Sequence, residues 1–446
     1  MRLLGLKTFR HGVHPPESKD ETSGLAIRQF PFAPLLIVPL VQHMGAPSIA
    51  EVEEGQEVQR GQRIARADGF MSVSMHAPAS GVVRRIALAP SISGRMVPAV
   101  YLEPFPGSTQ EIEEGTPCPL DTATPDEIIA AIQDAGVVGL GGAAFPTHVK
   151  LKIPEGKYAD TLIINGVECE PFLTTDHRVM LEESGDIFMG IRYLLKVTGA
   201  QKVIIAVEAN KPDAAAHLSE AFPGDLDGSV EVLPVKYPQG AEKMLFSALL
   251  GREVPSGGLP LDIHALCCNV ATAAQIGHLL PRGQGIQERV ITVTGPAVKR
   301  KGNYRIPIGT PLRFLLEHVG VEDDVNRVFL GGPMMGATAS SLDISITKGT
   351  SGVTAFTDSA AERTHSQVYP CIRCGYCVDA CPIFLNPSLL GILAANEEFS
   401  TMAEEHNLMD CFECGSCSFV CPSHIPLVQQ FRASKASVRK AKAGAA

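Results

Sequence analysis

In the middle of the chain, stretches with the apolar spacing of a helix alternate with short apolar runs typical of strands. Residues 124–135 (TPDEIIAAIQDA) begin with a threonine cap and a proline, and they place three isoleucines on one helical face. Two short apolar runs, DTLII from Asp160 and KVIIAV from Lys202, have the length and β-branched content of buried strands. Because helical stretches and short strands alternate between residues 125 and 250, the pattern predicts an α/β core with parallel strands.

The pattern changes after this core. The segments RVITVTG, from Arg289, and YRIPIGTPLRFLL, from Tyr304, predict a compact β-rich unit with one helix, and a turn-dense GGPMMG follows from Gly331. Residues from about 350 to 368 are polar and predict a linker. The last stretch, QQFRASKASVRKAKAGAA, carries five basic residues and no acid, which predicts a solvated helical tail. Contact with an acidic partner or a membrane surface is the alternative.

The first 120 residues have a third pattern, rich in proline, glycine and β-branched residues. Two strand–turn units, GQEVQRGQRIA from Gly55 and HAPASGVVRRI from His76, resemble the barrel-sandwich hybrid motif of biotinyl and lipoyl domains. Those domains carry a prosthetic group on a hairpin lysine, but this chain has no lysine between Lys19 and Lys150. We therefore expect a structural or docking module here, and no swinging-arm carrier.

Composition narrows the class of protein. The 446 residues are 45% hydrophobic and 19% charged, as in globular chains with sizeable cores. The net charge of −10 comes without a concentrated basic surface, which argues against nucleic-acid binding. The best apolar candidate, residues 31–41, is too short for a membrane span, and the N-terminus lacks the apolar run of a secretory signal. We expect a soluble, cytoplasmic chain of several domains.

Eight of the twelve cysteines form two quartets of one spacing, C-x2-C-x2-C-x3-C-P, at an offset of 40 residues. Disulfide frameworks are typical of small secreted chains, and zinc sites use four ligands in two pairs, so both suit this repeat less well. The spacing is that of two-cluster ferredoxins, in which the last cysteine of each quartet ligates the other cluster. The sequence thus predicts two [4Fe–4S] clusters. One takes Cys371, Cys374, Cys377 and Cys421, and the other takes Cys411, Cys414, Cys417 and Cys381.

Candidate chemistry outside these cysteines is concentrated in a glycine loop. Four glycines fall within residues 136–142, where the backbone can approach a ligand closely and offer N–H groups to an anion. The spacing is neither a P-loop nor G-x-G-x-x-G, so on pattern alone the segment is equally a simple loop. The remaining cysteines have no ligand spacing and are interpreted as small buried residues: Cys118, Cys169, Cys267 and Cys268.

Taken in order, these segments resemble the C subunits of the Rnf (also called Rsx) electron-transport complex over nearly the whole chain. The resemblance includes FRHGVHPPESK, GLGGAAFPTHVKL, INGVECEPFLTTDHR, YPQGAEKML, VFLGGPMMG and the paired quartets. The middle is also similar to the flavin- and NADH-binding subunit of respiratory complex I. The β-rich unit is similar to the soluble-ligand-binding β-grasp (SLBB) domain of both families.

The resemblance implies a multidomain α/β architecture. Its expected parts are an N-terminal barrel-sandwich hybrid (1–120), a central α/β flavin- and nucleotide-binding domain (121–285), an SLBB-like β-grasp domain (286–350), a linker (351–368), an α-helical two-cluster ferredoxin domain (369–430) and a basic tail (431–446).

The resemblance also implies an FMN in the α/β domain, with NADH stacking on it. Gly139, Gly141 and Gly142 would wrap the flavin, Phe145 would stack on the nucleotide, and Lys150 would meet the flavin or its phosphate. Three further segments would line the pocket: the N-x-x-E-x-E-P motif, a tyrosine with an acid, and N-V-x-T near the flavin phosphate. The matching residues are, in that order, Asn165, Glu168, Glu170, Tyr237, Glu242, Asn269 and Thr272. Solvated loop carboxylates are the alternative interpretation of the two motif glutamates.

Four positions depart from the related families. Ala144 stands where a glycine is usual, and His148 where complex I carries another. Val167 replaces an aspartate of the complex I motif, and Ala241 replaces the first of its paired glutamates. These departures concern the contacts to NADH rather than the clusters.

The implied carriers define a route for electrons. NADH gives up two electrons together whereas a cluster accepts one, so a flavin is the required converter. The resemblance implies a peripheral, NADH-oxidising subunit of NADH:ferredoxin oxidoreductase type on the cytoplasmic face of the inner membrane, with no catalytic acid or base. Its implied partners are the membrane subunits of an ion-translocating complex and, indirectly, ferredoxin. The alternatives are a flavin-less relay and docking subunit, a cobalamin reductase of diol-utilising microcompartments, and a zinc-bound scaffold.

Overall fold

The computed structural model of the chain describes residues 7–358 and 367–444. After a helical turn, α1 (Asp20–Ser23), and a short strand, β1 (Ile27–Gln29), the chain enters a module of two small antiparallel sheets. Its strands are β2 (Leu36–Pro39), β3 (Ile49–Ala50), β4 (Glu57–Val58), β5 (Arg63–Arg66), β6 (Met75–His76), β7 (Gly81–Pro90) and β8 (Met96–Pro104). The sheet orders are β2-β8-β7-β4 and β3-β5-β6. This is the predicted barrel-sandwich hybrid.

The central domain is a four-stranded parallel sheet in the order β11-β10-β9-β12, formed by β9 (Thr161–Gly166), β10 (Lys202–Glu208), β11 (Gly228–Leu233) and β12 (Ala265–Asn269). Its helices are α2 (Pro125–Asp134), α3 (Thr147–Leu151), α4 (Thr175–Glu182), α5 (Ser184–Thr198), α6 (Pro212–Glu220), α7 (Glu242–Leu250) and α8 (Val270–Leu279). The predicted α2 begins with a capping box between Thr124 and Glu127. The hybrid module and this domain share one continuous apolar core.

The β-grasp domain contains a six-stranded sheet in the order β1-β14-β13-β17-β15-β16. Its own elements are β13 (Glu288–Thr294), β14 (Gly302–Pro307), α9 (Leu312–Val319), β15 (Val325–Leu330), β16 (Ala337–Thr338) and β17 (Gly352–Thr357). Two predicted boundaries are wrong here. Strand β1, assigned by sequence to the first module, pairs in parallel with β14, and β17, assigned to the linker, pairs with β13 and β15. The rest of the predicted linker lies partly outside the described residues.

The C-terminal domain is helical. It comprises α10 (Tyr376–Ala380), α11 (Pro387–Ala395), α12 (Phe399–Glu404), α13 (Ser416–Phe419) and α14 (Leu427–Gly444). The repeated sequence produces repeated turns, since Gly375 and Gly415 precede α10 and α13 with φ values of 83° and 82°. The predicted tail is not a separate segment, because α14 runs through it and buries Phe431, Lys435 and Val438 against the domain.

Two further features position the site. Residues 7–19, which we call the N-terminal strap, run over the central domain and reach the helical domain, so the predicted first domain begins later than residue 1. Among the described residues, no helix is both long enough and apolar enough to cross a membrane.

Candidate functional site

The glycine loop between α2 and α3 is anchored by two buried side chains. The Leu140 N–H donates to Thr272 Oγ1 at 2.9 Å, and the Arg289 guanidinium donates to the Leu140 carbonyl at 2.5 Å. Residues 141–143 are exposed beyond this anchor, and their backbone N–H groups have no hydrogen-bond partner within the described parts of the chain. Consecutive free N–H groups make a concave site for an anion. The loop therefore fits a phosphate-bearing cofactor such as FMN.

The predicted flavin residues of this loop lie together. The Gly139 N–H donates to the Phe145 carbonyl at 2.8 Å and closes the loop, leaving Phe145 half-buried. Gly142 has a φ of 112° and faces open space, so this conformation requires glycine. A Cβ on Gly141 would lie 3.5 Å from Asn269, which brings the loop close to the start of α8.

Asn269 and Thr272 form the other wall. Asn269 caps α8 by accepting the Thr272 N–H at 3.2 Å, and its amide donates to Asp176 Oδ2 at 2.7 Å. Burial and, after it, the neighbouring Glu168 carboxylate raise the pKa of Asp176 to about 7, against the opposing charge of Arg289. Burial in turn lowers the pKa of Arg289 to about 10. A carboxyl group that titrates near neutrality therefore lies beside the glycine loop.

The polar side-chain atoms of the motif residues Asn165 and Glu168 form hydrogen bonds with backbone groups. Asn165 accepts the Val167 N–H at 3.0 Å and donates to the Gly240 carbonyl at 2.9 Å. Glu168 is buried and accepts the N–H groups of Asp176 at 2.9 Å and His177 at 3.4 Å in the first turn of α4. Both residues shape the loops of the pocket.

Lys150 and Glu242 form an ion pair, each with about a third of its side chain exposed. Burial lowers the pKa of Lys150, but the Glu242 carboxylate outweighs it, so the pKa lies above its usual value. The pair keeps one cation and one anion beside Cys267 of β12, which is an edge strand of the sheet.

Glu170 and Tyr237 face the helical domain instead. The Glu170 carboxylate accepts the N–H groups of Met334 at 2.7 Å and Met335 at 3.1 Å, in the GGPMMG loop. Burial raises the pKa of Glu170 against these donors. The Tyr237 hydroxyl donates to the Cys414 carbonyl at 2.6 Å, and Glu170 is also its neighbour. Tyr237 thus bonds the central domain to one cysteine loop, and Glu170 bonds it to the GGPMMG loop of the β-grasp domain.

The structure gives a reason for one of the four departures, His148. His148 is fully buried and its Nε2 lies 2.7 Å from the Phe70 carbonyl, so it joins the hybrid module to α3. Ala144 adopts a left-handed φ of 49°, and its carbonyl accepts the Met44 N–H at 3.3 Å. Val167 is buried, and nothing in the structure explains Ala241.

One predicted set of cysteines, which we call the outer quartet, lines a single open cavity of about 270 Å³. Its members are Cys371, Cys374, Cys377 and Cys421. Cys371 and Cys374 are exposed, and the cavity is also lined by exposed apolar side chains that include Ile372 and Ile392. Because Cys421 comes from the second repeat, the cavity fits the crossed ligation that the spacing predicts.

The other predicted set, which we call the inner quartet, is enclosed. It comprises Cys381, Cys411, Cys414 and Cys417. Burial raises the pKa of the Cys417 thiol, and the neighbouring three thiols raise it further, which shows that the four lie together. The Lys435 ammonium donates to the Cys411 carbonyl at 2.7 Å and to Glu413 at 2.8 Å. Among the described residues, no three histidine, cysteine or acidic side chains converge on a single metal ion. A cluster does not need this, since each of its cysteines binds a different iron.

Sequence reasoning missed several residues of the site. Asp176 stands within the quoted INGVECEPFLTTDHR, but its burial beside Glu168 depends on how α4 packs. Arg289 opens a predicted strand, and Lys348 lies in a loop where it donates to the Ser74 and Gly136 carbonyls. No local pattern distinguishes these cations from surface ones, because their partners lie in distant segments of the chain.

Four protein-family models match the chain. They are the RnfC barrel sandwich hybrid domain (residues 7–105), the Nuo51 FMN-binding domain (132–278), the SLBB domain (290–338) and the 4Fe-4S dicluster domain (370–425). The predicted fold classes and the cofactors FMN and two [4Fe–4S] clusters are confirmed.

Curated relatives match over nearly the full chain. The C subunit of the proton-translocating ferredoxin:NAD(+) oxidoreductase complex of Clostridium ljungdahlii is 41% identical over 98% of this chain and 95% of its own length. The C subunit of the Na(+)-translocating ferredoxin:NAD(+) oxidoreductase complex of Acetobacterium woodii is 40% identical, covering 97% of both chains. The C subunit of the ion-translocating oxidoreductase complex of Pasteurella multocida is 42% identical over 96% of this chain, which spans 51% of that relative.

Among solved structures, a chain in the crystal structure of an NAD+-reducing [NiFe]-hydrogenase in the H2-reduced state is similar in fold. The TM-score is 0.50 at 19% identity, over 74% of this chain and 69% of that one.

Proposed function

Because the chain belongs to the family of C subunits of ion-translocating oxidoreductase complexes, we propose that it oxidises NADH and passes the electrons through its two clusters to a partner subunit. FMN, when bound, would supply the conversion between the hydride of NADH, which is two electrons and one proton and leaves NAD+ behind, and the single electrons that the clusters accept. The observation that carries the proposal is the glycine loop with its free N–H groups at residues 141–143, beside Asn269 and Thr272.

The residues of the loop bind and orient; none is required to transfer a proton. The N–H groups of residues 141–143 hold an anionic phosphate, and Arg289 and Thr272 fix the loop beneath them. The Lys150–Glu242 pair keeps charged groups at the pocket without leaving either buried alone.

In this proposal the inner quartet would hold the cluster that accepts electrons from the central domain. Its Cys414 carbonyl accepts a hydrogen bond from Tyr237, which also neighbours the motif residue Glu170. The outer quartet opens to solvent on the far side of the same domain, so it is suited to deliver electrons to another protein. Exposed apolar side chains such as Ile372 and Ile392 give that cavity the character of an interface core.

The partners in the proposal are the membrane subunits of an ion-translocating complex, with ferredoxin as the indirect redox partner. Two relatives are named as subunits of ferredoxin:NAD(+) oxidoreductase complexes, one proton- and one Na(+)-translocating, which supports this class of reaction. A peripheral position on the cytoplasmic face of the membrane follows from the same assignment.

An anaerobic NADH titration of the purified chain tests the proposal. Flavin and iron–sulfur absorbance are followed together, and dithionite reduction of a second sample shows that the clusters can accept electrons. We expect flavin bleaching followed by cluster reduction. Clusters that dithionite reduces but NADH does not, in a chain that retains FMN, would contradict NADH oxidation; a chain with clusters and no FMN would support the relay alternative.

A further inference from the structure

Residues 9–13 of the N-terminal strap lie in the interface between the central domain and the helical domain, which we call the joint. The Val13 N–H donates to the Tyr237 carbonyl at 2.8 Å, and the Tyr237 N–H donates back to the Val13 carbonyl at 2.9 Å. This two-way bridge ties the strap to the residue whose hydroxyl bonds the Cys414 carbonyl.

The neighbouring strap residues contact the helical domain. The Gly12 N–H donates to the Ala380 carbonyl at 3.2 Å, and Ala380 directly precedes Cys381 of the inner quartet. The His11 ring packs edge-on against Phe384, with ring centroids 4.7 Å apart. Three consecutive strap residues therefore bond or pack on both sides of the joint.

The joint is apolar and tightly filled. Val13, Tyr237 and Ala380 are all buried and form its centre. The side chains packed around them are Cys169, Met334, Cys414 and Val420. An inner-quartet cysteine thus belongs to the same small core as the strap, so displacement of the strap is transmitted to the cluster loop.

The strap itself is fixed to the central domain at both ends. Lys236 donates to the Phe9 carbonyl at 2.9 Å, with its ammonium 4.5 Å from the centroid of the Phe9 ring. At the other end the buried Lys19 donates to the carbonyls of Glu170, at 2.8 Å, and Leu173. The anchors make the strap a rigid element.

We propose that strap residues Gly12 and Val13 are positioning residues that fix the distance between the flavin and the inner cluster. The inference rests on the proposed function and adds the residues on which its internal electron-transfer step depends. Electron transfer between fixed carriers slows steeply with distance, so a joint held at a single separation determines the rate of that step.

Gly12 offers a sharp test because it has little room for a side chain. Its φ is 84°, and a Cβ there would lie 2.6 Å from the Tyr237 carbonyl oxygen and 2.9 Å from the Phe9 ring. Gly55 in the hybrid module has the same φ of 84°, but a Cβ there would meet no atom within 4 Å. The pair Gly12→Ala and Gly55→Ala therefore separates displacement of the joint from backbone strain alone.

The experiment uses the full chain with FMN and both clusters. Light-driven reduction of the FMN starts electron transfer without NADH, so failure of NADH oxidation does not affect the result. Rapid-freeze EPR spectroscopy measures inner-cluster reduction, hydrogen exchange reports the Val13 and Tyr237 amides, and FMN and iron contents are measured on each sample. For Gly12→Ala we expect faster amide exchange and a several-fold lower rate of inner-cluster reduction, because the added Cβ pushes the strap away from Tyr237. Gly55→Ala should match the unmodified chain both in the exchange of these amides and in the rate of inner-cluster reduction.

Two outcomes would overturn the proposal. One is an unchanged rate in Gly12→Ala despite faster exchange of the two amides, and the other is an equal fall of the rate in Gly55→Ala. If Gly12→Ala does not retain its cofactors, Val13→Ala provides the second variant, because it empties part of the joint and keeps the backbone bonds. A slower step with full cofactor content supports positioning, and an unchanged rate contradicts it.

Discussion

The two cysteine quartets have one spacing and opposite surroundings. The outer quartet lines an open cavity of about 270 Å³, with Cys371 and Cys374 exposed. The inner quartet has Cys381 and Cys417 buried, and it lies against the central domain through the Cys414 carbonyl. Identical ligand chemistry is therefore placed at two different depths, which suits the proposed roles of the inner quartet as entry site and the outer quartet as exit site for electrons.

The difference shows what a repeat can and cannot specify. Each C-x2-C-x2-C turn is local, and Gly375 and Gly415 give both the same backbone conformation. The surroundings depend on segments far away in the chain. Tyr237 and the strap contact the loops of the inner quartet, whereas the outer quartet is open to solvent. Reduction potentials and access to clusters depend on such surroundings.

The largest expected effect comes from removing one cysteine of each quartet. Cys417→Ser should abolish the inner cluster and, with it, reduction of the outer cluster by NADH, because the inner cluster stands between flavin and exit. Cys374→Ser should leave the inner cluster reducible. Each variant should lose about half of the iron, since each cluster uses four of the eight ligands. NADH titration with EPR spectroscopy distinguishes the two variants. Normal reduction of the outer cluster in Cys417→Ser would contradict the proposed order, in which electrons reach the inner cluster first.

A second effect concerns the lifetime of the clusters. Because two cysteines of the outer quartet are exposed, we expect an iron chelator or air to destroy the outer cluster first. EPR spectra taken at intervals should pass through a stage with one remaining cluster, which is the inner one. Simultaneous loss of both signals would show that the burial of the inner quartet gives no protection.

Lowering the pH should destabilise the interface between the central domain and the hybrid module, which is a different interface from the one that the strap contacts. Burial and, after it, the nearby Lys348 ammonium lower the pKa of His43 to about 4 and of His76 to about 3. The unfolded chain takes up these protons near pH 6.5, so stability is present above that pH and is lost as the pH falls towards 4. The slope is about 1.4 kcal/mol per pH unit for each histidine.

Hydrogen exchange of β6 and β7 between pH 7 and 5 measures this loss. His76→Gln should reduce the slope, whereas His14→Gln, at an exposed position of the strap, should leave it unchanged. Equal slopes in all three chains would exclude the buried histidines as its cause.

The smallest expected effect is on the potential of the inner cluster. Lys435 is buried, contacts the Cys411 carbonyl and pairs with Glu413, so its charge favours the reduced cluster. Lys435→Met should lower that potential by less than about 60 mV, which is a tenfold change for a one-electron couple. Lys440→Met, on the exposed side of the same helix, is the matched control. A redox titration by EPR spectroscopy checks both, and a shift of the outer cluster instead would contradict the contact.

Local sequence was sufficient for features whose partners lie close in the chain. The capping box of α2 joins the neighbouring residues Thr124 and Glu127, and the quartets and the glycine loop are each contained in a few turns. The assignments of β1 and β17 failed because both strands are completed only by pairing with distant strands of the β-grasp sheet. The prediction of a separate basic tail was wrong because α14 buries Lys435 against the loop that carries Cys411.

The sequence by itself determined the cluster chemistry of this protein, since the ligand spacing acts over a few residues of chain, whereas the flavin site followed only from the resemblance to a known family. The order of the domains could also be predicted from the sequence, because the spacing of apolar residues differs from one segment to the next. Only the tertiary structure decided which quartet is enclosed, that Glu170 and Tyr237 turn towards it, and that the strap closes the joint. Those outcomes depend on contacts between segments near opposite ends of the chain, such as the bond from Gly12 to Ala380, and no local pattern encodes such contacts.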